Sequence, residues 1–147
     1  MKKTPSGSTE KIEAAKVFIL RNPKTGKQDP WHLQSLLVSK FGAEAGIVCS
    51  RCFFWTGLST RHKAGWFSQT REEMMQDTGI TSHAKLQKAR AVLRGDLERA
   101  GKRWPGLLDE ERPADPRAPT LYRISMSKLA DALGIDLPSH PRKGRKR

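Results

Sequence analysis

The residues best suited to chemistry lie between Thr70 and Lys88, in the stretch TREEMMQDTGITSHAKLQK. Thr81, Ser82, His83, Lys85, Gln87 and Lys88 bring hydroxyl, imidazole, ammonium and amide groups within two turns of a helix. Ammonium and hydroxyl groups bind phosphate, a glutamine amide can make two hydrogen bonds to a base edge, and the first turn of a helix offers free amides to an anion. That is the chemistry of recognition, not of bond cleavage. The histidines His32, His62, His83 and His140 are scattered, without a carboxylate or nucleophile beside them, and no hydrolase, phosphate-loop or dinucleotide signature occurs. The expectation is no enzyme and no cofactor.

Cys49 and Cys52 have the spacing of half a zinc site, with His32 or His62 as further ligands to consider. A structural zinc needs four ligands, and there is no second cysteine pair or spaced histidine pair. At i and i+3 on an apolar helix the two cysteines read as small buried hydrophobes, and no metal is expected.

These residues must be held by a pair of helices. Thr70 to Glu73 is a capping box, Gly79 supplies the left-handed residue that ends a short helix, Ile80 points to the core, and Thr81 or Ser82 caps the next helix. At about 100° per residue, Leu86, Ala89, Leu93 and Leu97 fall on one line, with Lys85, Gln87, Lys88 and Ala91 opposite. Arg71 opens the first helix of the pair. Arg61, His62 and Lys63, in the polar loop before a short Trp66–Phe67 strand, are further phosphate candidates, as are Arg117 and Arg123 downstream.

Upstream, the segment from Thr9 to Leu20 sets Ile12, Ala15, Phe18 and Ile19 on a helical stripe, although VFIL also suits a short strand. A turn at NPKTG leads to Asp29 and Pro30, a cap followed by proline at the first helical position. A helix is expected from Pro30 to Phe41, burying Leu33, Leu36, Leu37 and Phe41. After Gly42 a second runs from Ala43 to Thr56, burying Ile47, Val48, Cys52 and either Phe54 or Trp55. Downstream, LLDEE at 107–111 and TLYRI at 120–124 flank RPADPRAP, giving two edge strands around a proline-rich loop, a wing. Ser125 or Ser127 caps a last helix, Lys128 to Leu133, ended by Gly134. Trp55 and Trp66 are expected in the core, and Trp104, between Arg103 and Pro105, at the surface.

The chain has 147 residues, with 28 Lys and Arg against 15 Asp and Glu. This suits one domain over residues 9–134, with polar ends at 1–8 and 135–147 expected to be disordered. The formal net charge is +13, and the tail residues Arg142, Lys143, Arg145, Lys146 and Arg147 account for five of those charges. The remaining +8 makes the domain itself a polyanion attractor. No run of 18 apolar residues exists and MKKTPSGSTEK has no apolar core behind its basic pair, so neither a membrane span nor a signal peptide is expected. Two cysteines alone fit a reducing compartment, the cytoplasm.

The succession FGAEAGIVCSRCFFW, GWFSQTREEM, TGIT followed by KARAVLR, and TLYRISMSKL resembles the winged-helix domains of phage and plasmid replication proteins over residues 30 to 134. The resemblance implies a mainly α fold with a small β wing, a winged helix-turn-helix. It implies a bacterial mobile-element protein, nucleoid- or plasmid-associated, that binds specific double-stranded DNA through Arg71, Thr81, Ser82, His83, Lys85, Gln87, Lys88, Arg117 and Arg123. The tail would add non-specific contacts. Replication initiation or its control is the implied role, with replication or transcription proteins as partners. A domain to recruit helicase or polymerase has no room in 147 residues, which puts a transcriptional repressor on an operator beside it. A protein-interaction module with weak nucleic-acid contact is the third reading, and a homodimer through Thr9–Leu20 would present two half-sites.

The chain departs from the family twice. Lys85 stands where a valine or isoleucine falls about six residues after the turn glycine, which moves the apolar position to Leu86 and the reading face by one residue. GDLERAGKRWPG, residues 95–106, replaces a short Leu-x-x-Gly-Leu step, and either lengthens the helix or forms a separate basic loop.

Overall fold

Two helices joined through one glycine form the frame on which the rest is built. In the computed structural model, which describes residues 5–58, 65–99 and 101–137, α1 (Pro5–Leu20) is followed by α2 (Pro30–Phe41) and α3 (Ala43–Trp55). Asp29 caps α2 by accepting the His32 amide at 3.1 Å, and Pro30 follows at the first helical position. Gly42 ends α2 and starts α3. One turn later Gly46 lies directly against the Val38 backbone, where any Cβ would overlap it, so the two helices approach as closely as their main chains allow.

The remaining elements are β1 (Phe67–Ser68), α4 (Arg71–Thr78), α5 (His83–Arg94), β2 (Leu108–Glu111), β3 (Leu121–Ile124) and α6 (Met126–Leu133). The fold is mainly helical with a small antiparallel sheet in the order β1-β3-β2. Phe67 pairs with Tyr122, Leu108 with Ile124 and Asp109 with Arg123. Both hairpin strands were expected to be edges, but β3 is central, because β1 (Phe67–Ser68) adds to its free side. The alternation along β3 fits this: Tyr122 and Ile124 are buried, whereas Leu121 and Arg123 are half-buried.

Helix α3 contacts α2, α4, α5 and β3, which puts Val48, Cys49, Cys52 and Phe53 in the core with Leu37, Phe41, Leu86, Leu93 and Leu107. At the end of α3 the buried Thr56 hydroxyl donates to the Cys52 carbonyl at 2.7 Å and accepts the Ile124 amide at 3.0 Å, tying α3 to β3. Beside it the Lys16 ammonium donates to the carbonyls of Phe54 and Thr56 at 3.0 and 2.9 Å. Burial pulls the Lys16 amine below its ordinary value, partly opposed by Glu13.

Several sequence expectations change. The first helix begins at Pro5, so residues 5–8 are helical, while residues 1–4 and 138–147, including the five basic tail residues, lie outside the described residues. Residues 135–137 are not a disordered start to the tail, since Ile135 packs on the core and Leu137 is buried in it. Phe53 is buried instead of Phe54 and Ile47 is half-buried, because the contacts of α3 are set by α2 and α5 together, and Leu36 on α2 is exposed. Trp55 is half-buried with its indole nitrogen on Asp77 at 2.9 Å, and Trp66 is buried. Leu97 leaves the α5 stripe and is 39% exposed, since the helix ends at Arg94. No described helix is long and apolar enough to cross a membrane.

Candidate nucleic-acid interface

The capping box forms as its spacing requires. Thr70 Oγ1 accepts the Glu73 amide at 3.0 Å and Glu73 Oε1 accepts the Thr70 amide at 2.8 Å. Nine positions after Thr70, Gly79, at φ 81°, takes the left-handed conformation that ends α4. The Thr78 hydroxyl donates to the Met74 carbonyl at 2.8 Å and accepts the Ile80 amide at 3.2 Å, which fixes the turn and sends Ile80 inward. Ser82, not Thr81, caps α5 by accepting the Lys85 amide at 3.2 Å. Leu86, Ala89 and Leu93 are buried, so the apolar register starts at Leu86 and leaves Lys85 exposed.

The arginines fall into two groups. Asp77 holds Arg51 at 3.0 Å, along with the Trp55 indole and the Gln69 amide. Burial alone would raise the Asp77 carboxyl, but these donors outweigh it and keep it below its ordinary value. Glu110 takes both Arg90 and Arg94, each at 2.9 Å. Arg123 pairs with Asp109 at 2.9 Å across the ladder and lies 4.5 Å from the Trp66 ring centroid. The expected phosphate ligand Arg123 is thereby occupied as a sheet residue.

A second set of polar and charged side chains is exposed to solvent. Thr81, His83, Lys85, Gln87 and Lys88 are exposed on or beside the first turns of α5, and Arg71 is exposed at the start of α4. Among the described residues no ion pair engages His83, Lys85, Lys88 or Arg71. Arg117, in the β2–β3 connection, has a side chain 91% exposed and only Asp115 nearby, at 3.5 Å. Arg61, His62 and Lys63 lie outside the described residues, as does the tail.

The 95–106 insertion is a separate folded arm and not a longer α5. Gly95 ends α5, and Arg103 Nη1 donates to the carbonyls of Gly95 and Asp96 at 3.0 and 2.8 Å. Arg99 and Lys102 exchange backbone hydrogen bonds of 2.8 and 3.0 Å, and the Leu107 amide returns to the Leu93 carbonyl at 2.7 Å. Trp104 was expected at the surface, but it is 9% exposed and meets Phe41 edge-on at 4.9 Å between centroids. The indole is the anchor of the arm. Sequence reasoning missed Arg99 and Lys102 as candidate site residues, although their place in a basic insertion around a tryptophan was the signal available.

Lys85, Lys88, Ala89 and Val92 of α5 and Leu97, Glu98 and Arg99 of the arm line one groove of about 470 Å³, closed by residues Phe41 to Ala45. The cysteines have no part in any such surface. Both are buried free thiols; burial pushes Cys49 up to about 12 and Cys52 further, with Cys49 adding to it. Among the described residues, no three His, Cys, Asp or Glu side chains gather as a metal site. Comparison with protein-family models, curated proteins and solved structures finds no match for the chain.

Proposed function

We propose that this chain is a winged-helix protein that binds duplex DNA, with α4 and α5 as the helix-turn-helix, α5 as the recognition helix and the β2–β3 hairpin as the wing. The sheet order and the sequence α3, β1, α4, α5, β2, β3 support the reading. One observation carries it. The cations and amide of the first half of α5 are exposed and unpaired among the described residues, while Arg51, Arg90, Arg94 and Arg123 are neutralised by acids. A helix with that face fits the major groove, where ammonium groups meet phosphates and Gln87 meets a base edge. The role is replication initiation or its control, with operator binding by a repressor as the alternative. Anisotropy titration of labelled duplexes tests the binding: if about four to six phosphates are neutralised, log affinity falls against log salt with a slope of roughly −4 to −5. A salt-insensitive isotherm overturns the reading, and protection of origin repeats or of a promoter separates the two roles.

One observation favours self-association beside this. Val17, Trp31, Phe54 and Leu58, all exposed, line a groove of about 570 Å³ between α1, α2 and α3. A second copy suits it, because the chain carries both a 78% exposed indole and the apolar slot beside it, which a two-fold axis can exchange. The cations lining it are engaged, Lys16 on carbonyls and Arg51 on Asp77, so this patch lacks the free cations that keep such chains apart. Sedimentation reads a dimer that Trp31→Ser dissociates; a wild-type monomer at high concentration overturns it.

A further inference from the structure

The two sides of α5 that solvent reaches are not equivalent. Exposed Lys85 and Lys88 with buried Ala89 and Val92 at the floor, spaced i, i+3, i+4 and i+7, form a stripe along the groove shared with the arm. Ala84, Gln87 and Ala91 form the neighbouring stripe, away from the core, and none of them lines that groove. A helix about 10–12 Å across fills a major groove about 12 Å wide, so its outer stripe meets base edges and its flank meets a phosphate strand. The flank of α5 is continued by the arm.

The arm holds its cations in place. The Arg99 guanidinium lies over Gly42 at the junction of α2 and α3, and the backbone bonds between Arg99 and Lys102 close the turn that carries both. Lys102 and Lys40 stand 4.5 and 5.7 Å from the centroid of the Trp104 ring, which the core fixes. Among the described residues none of Lys85, Lys88, Arg99, Lys40 and Lys102 is in an ion pair with an acid. Glu44 and Glu98 also line the groove and oppose an anion there.

From this geometry we infer that the groove between α5 and the arm seats one phosphodiester strand of the bound duplex, anchored by Lys85, Lys88 and Arg99, which leaves Gln87 as the base-reading residue. The inference rests on the DNA-binding reading and deepens it. Lys85 and Lys88 then supply affinity without sequence information, and the arm enlarges the footprint on the side of that strand.

The test uses the full chain with a random-sequence duplex and with a preferred duplex selected from random DNA, titrated at several salt concentrations. Arg99→Ala is expected to weaken both duplexes by the same factor and to make the salt slope shallower by about 0.9, the loss of one phosphate contact. Arg99→Lys restores the slope, and Glu98→Gln tightens both complexes, which loss of a merely structural contact would not do. Gln87→Ala keeps the slope and changes which duplex is preferred. If Arg99→Ala unfolds the protein, Arg99→Gln and Glu98→Gln carry the test. Should the wild type bind with a steep slope while the Arg99 and Glu98 variants match it, the groove seats no strand although DNA binding stands. A wild type that binds no duplex defeats the DNA-binding reading itself.

Discussion

Arg90 on α5 and Glu110 on β2 meet in a two-pronged ion pair, with Nε to Oε2 and Nη2 to Oε1 both at 2.9 Å. Arg94, one turn along, closes on the same carboxylate at 2.9 Å. The Arg90 residue is only 7% exposed and its guanidinium lies 5.4 Å from the Tyr122 ring centroid. The helix proposed to read DNA is thus locked to the hairpin proposed as the wing through one acid, so their relative orientation depends on it.

Removing one partner should therefore cost more than an ordinary surface pair. Glu110→Ala leaves Arg90 buried and uncompensated, and a loss of about 3–5 kcal/mol is expected by urea unfolding. The double change Arg90→Met with Glu110→Leu should recover most of that loss, because no charge is then stranded. A single change that costs no more than an exposed pair, below about 1 kcal/mol, would show that the pair does not hold the hairpin.

The same pair sets an acid limit. Burial alone would raise the Glu110 carboxyl, but hydrogen bonds and charge from Arg90 and then Arg94 keep it below its ordinary value. A depressed carboxylate stabilises the fold fully above its unfolded value, near pH 4, and that contribution is lost as pH falls through the lower folded value. Asp77 acts in the same direction at the junction of α3 and α4. Unfolding free energy should drop below roughly pH 4, and the drop should be smaller in Glu110→Gln.

Both thiols should be silent in the folded protein. Cys49 and Cys52 are buried and their thiols are pushed toward the protonated form, so little nucleophilic thiolate exists at neutral pH. An aromatic disulfide reagent should react with neither until denaturant is added, and then with both. Rapid modification before unfolding, or stoichiometric zinc lost in Cys49→Ser with Cys52→Ser, would contradict their place in the core.

On α5 adjacent positions should separate cleanly. Lys85→Ala and Lys88→Ala should weaken DNA binding and leave the melting temperature unchanged, since both side chains are exposed. Leu86→Ala and Leu93→Ala, fully buried, should cost about 2–5 kcal/mol of stability. Lysine variants that bind normally beside stable leucine variants would mean that the faces have been exchanged.

Features decided within four residues were legible in the sequence. Thr70 with Glu73, Asp29 before Pro30, and the stops at Gly42, Gly79 and Gly134 all stand where capping chemistry puts them. Features decided by distant partners were not. Arg90 is buried only because Glu110 arrives from β2, and Phe53 replaces Phe54 because α3 is covered on several sides at once. Trp104 looked like a surface residue between Arg103 and Pro105 until Phe41, 63 positions earlier, received it. The candidate site divides in the same way, for the exposed face of α5 follows from helical periodicity, whereas the groove beside it needs the folded arm.

The tail supplies the last prediction. Arg142, Lys143, Arg145, Lys146 and Arg147 carry five charges with no apolar neighbour between them, so this segment has no side chain with which to bury surface. Its contacts with DNA should be to phosphates and independent of sequence. Deleting residues 139–147 is expected to weaken preferred and random duplexes by similar factors and to make the salt slope shallower by about 0.9 for each phosphate released. If the deletion instead abolished preference for the selected site while sparing random DNA, the tail would be reading bases as a minor-groove arm. Specificity would then have to move away from Gln87 and the helix that Ser82 caps.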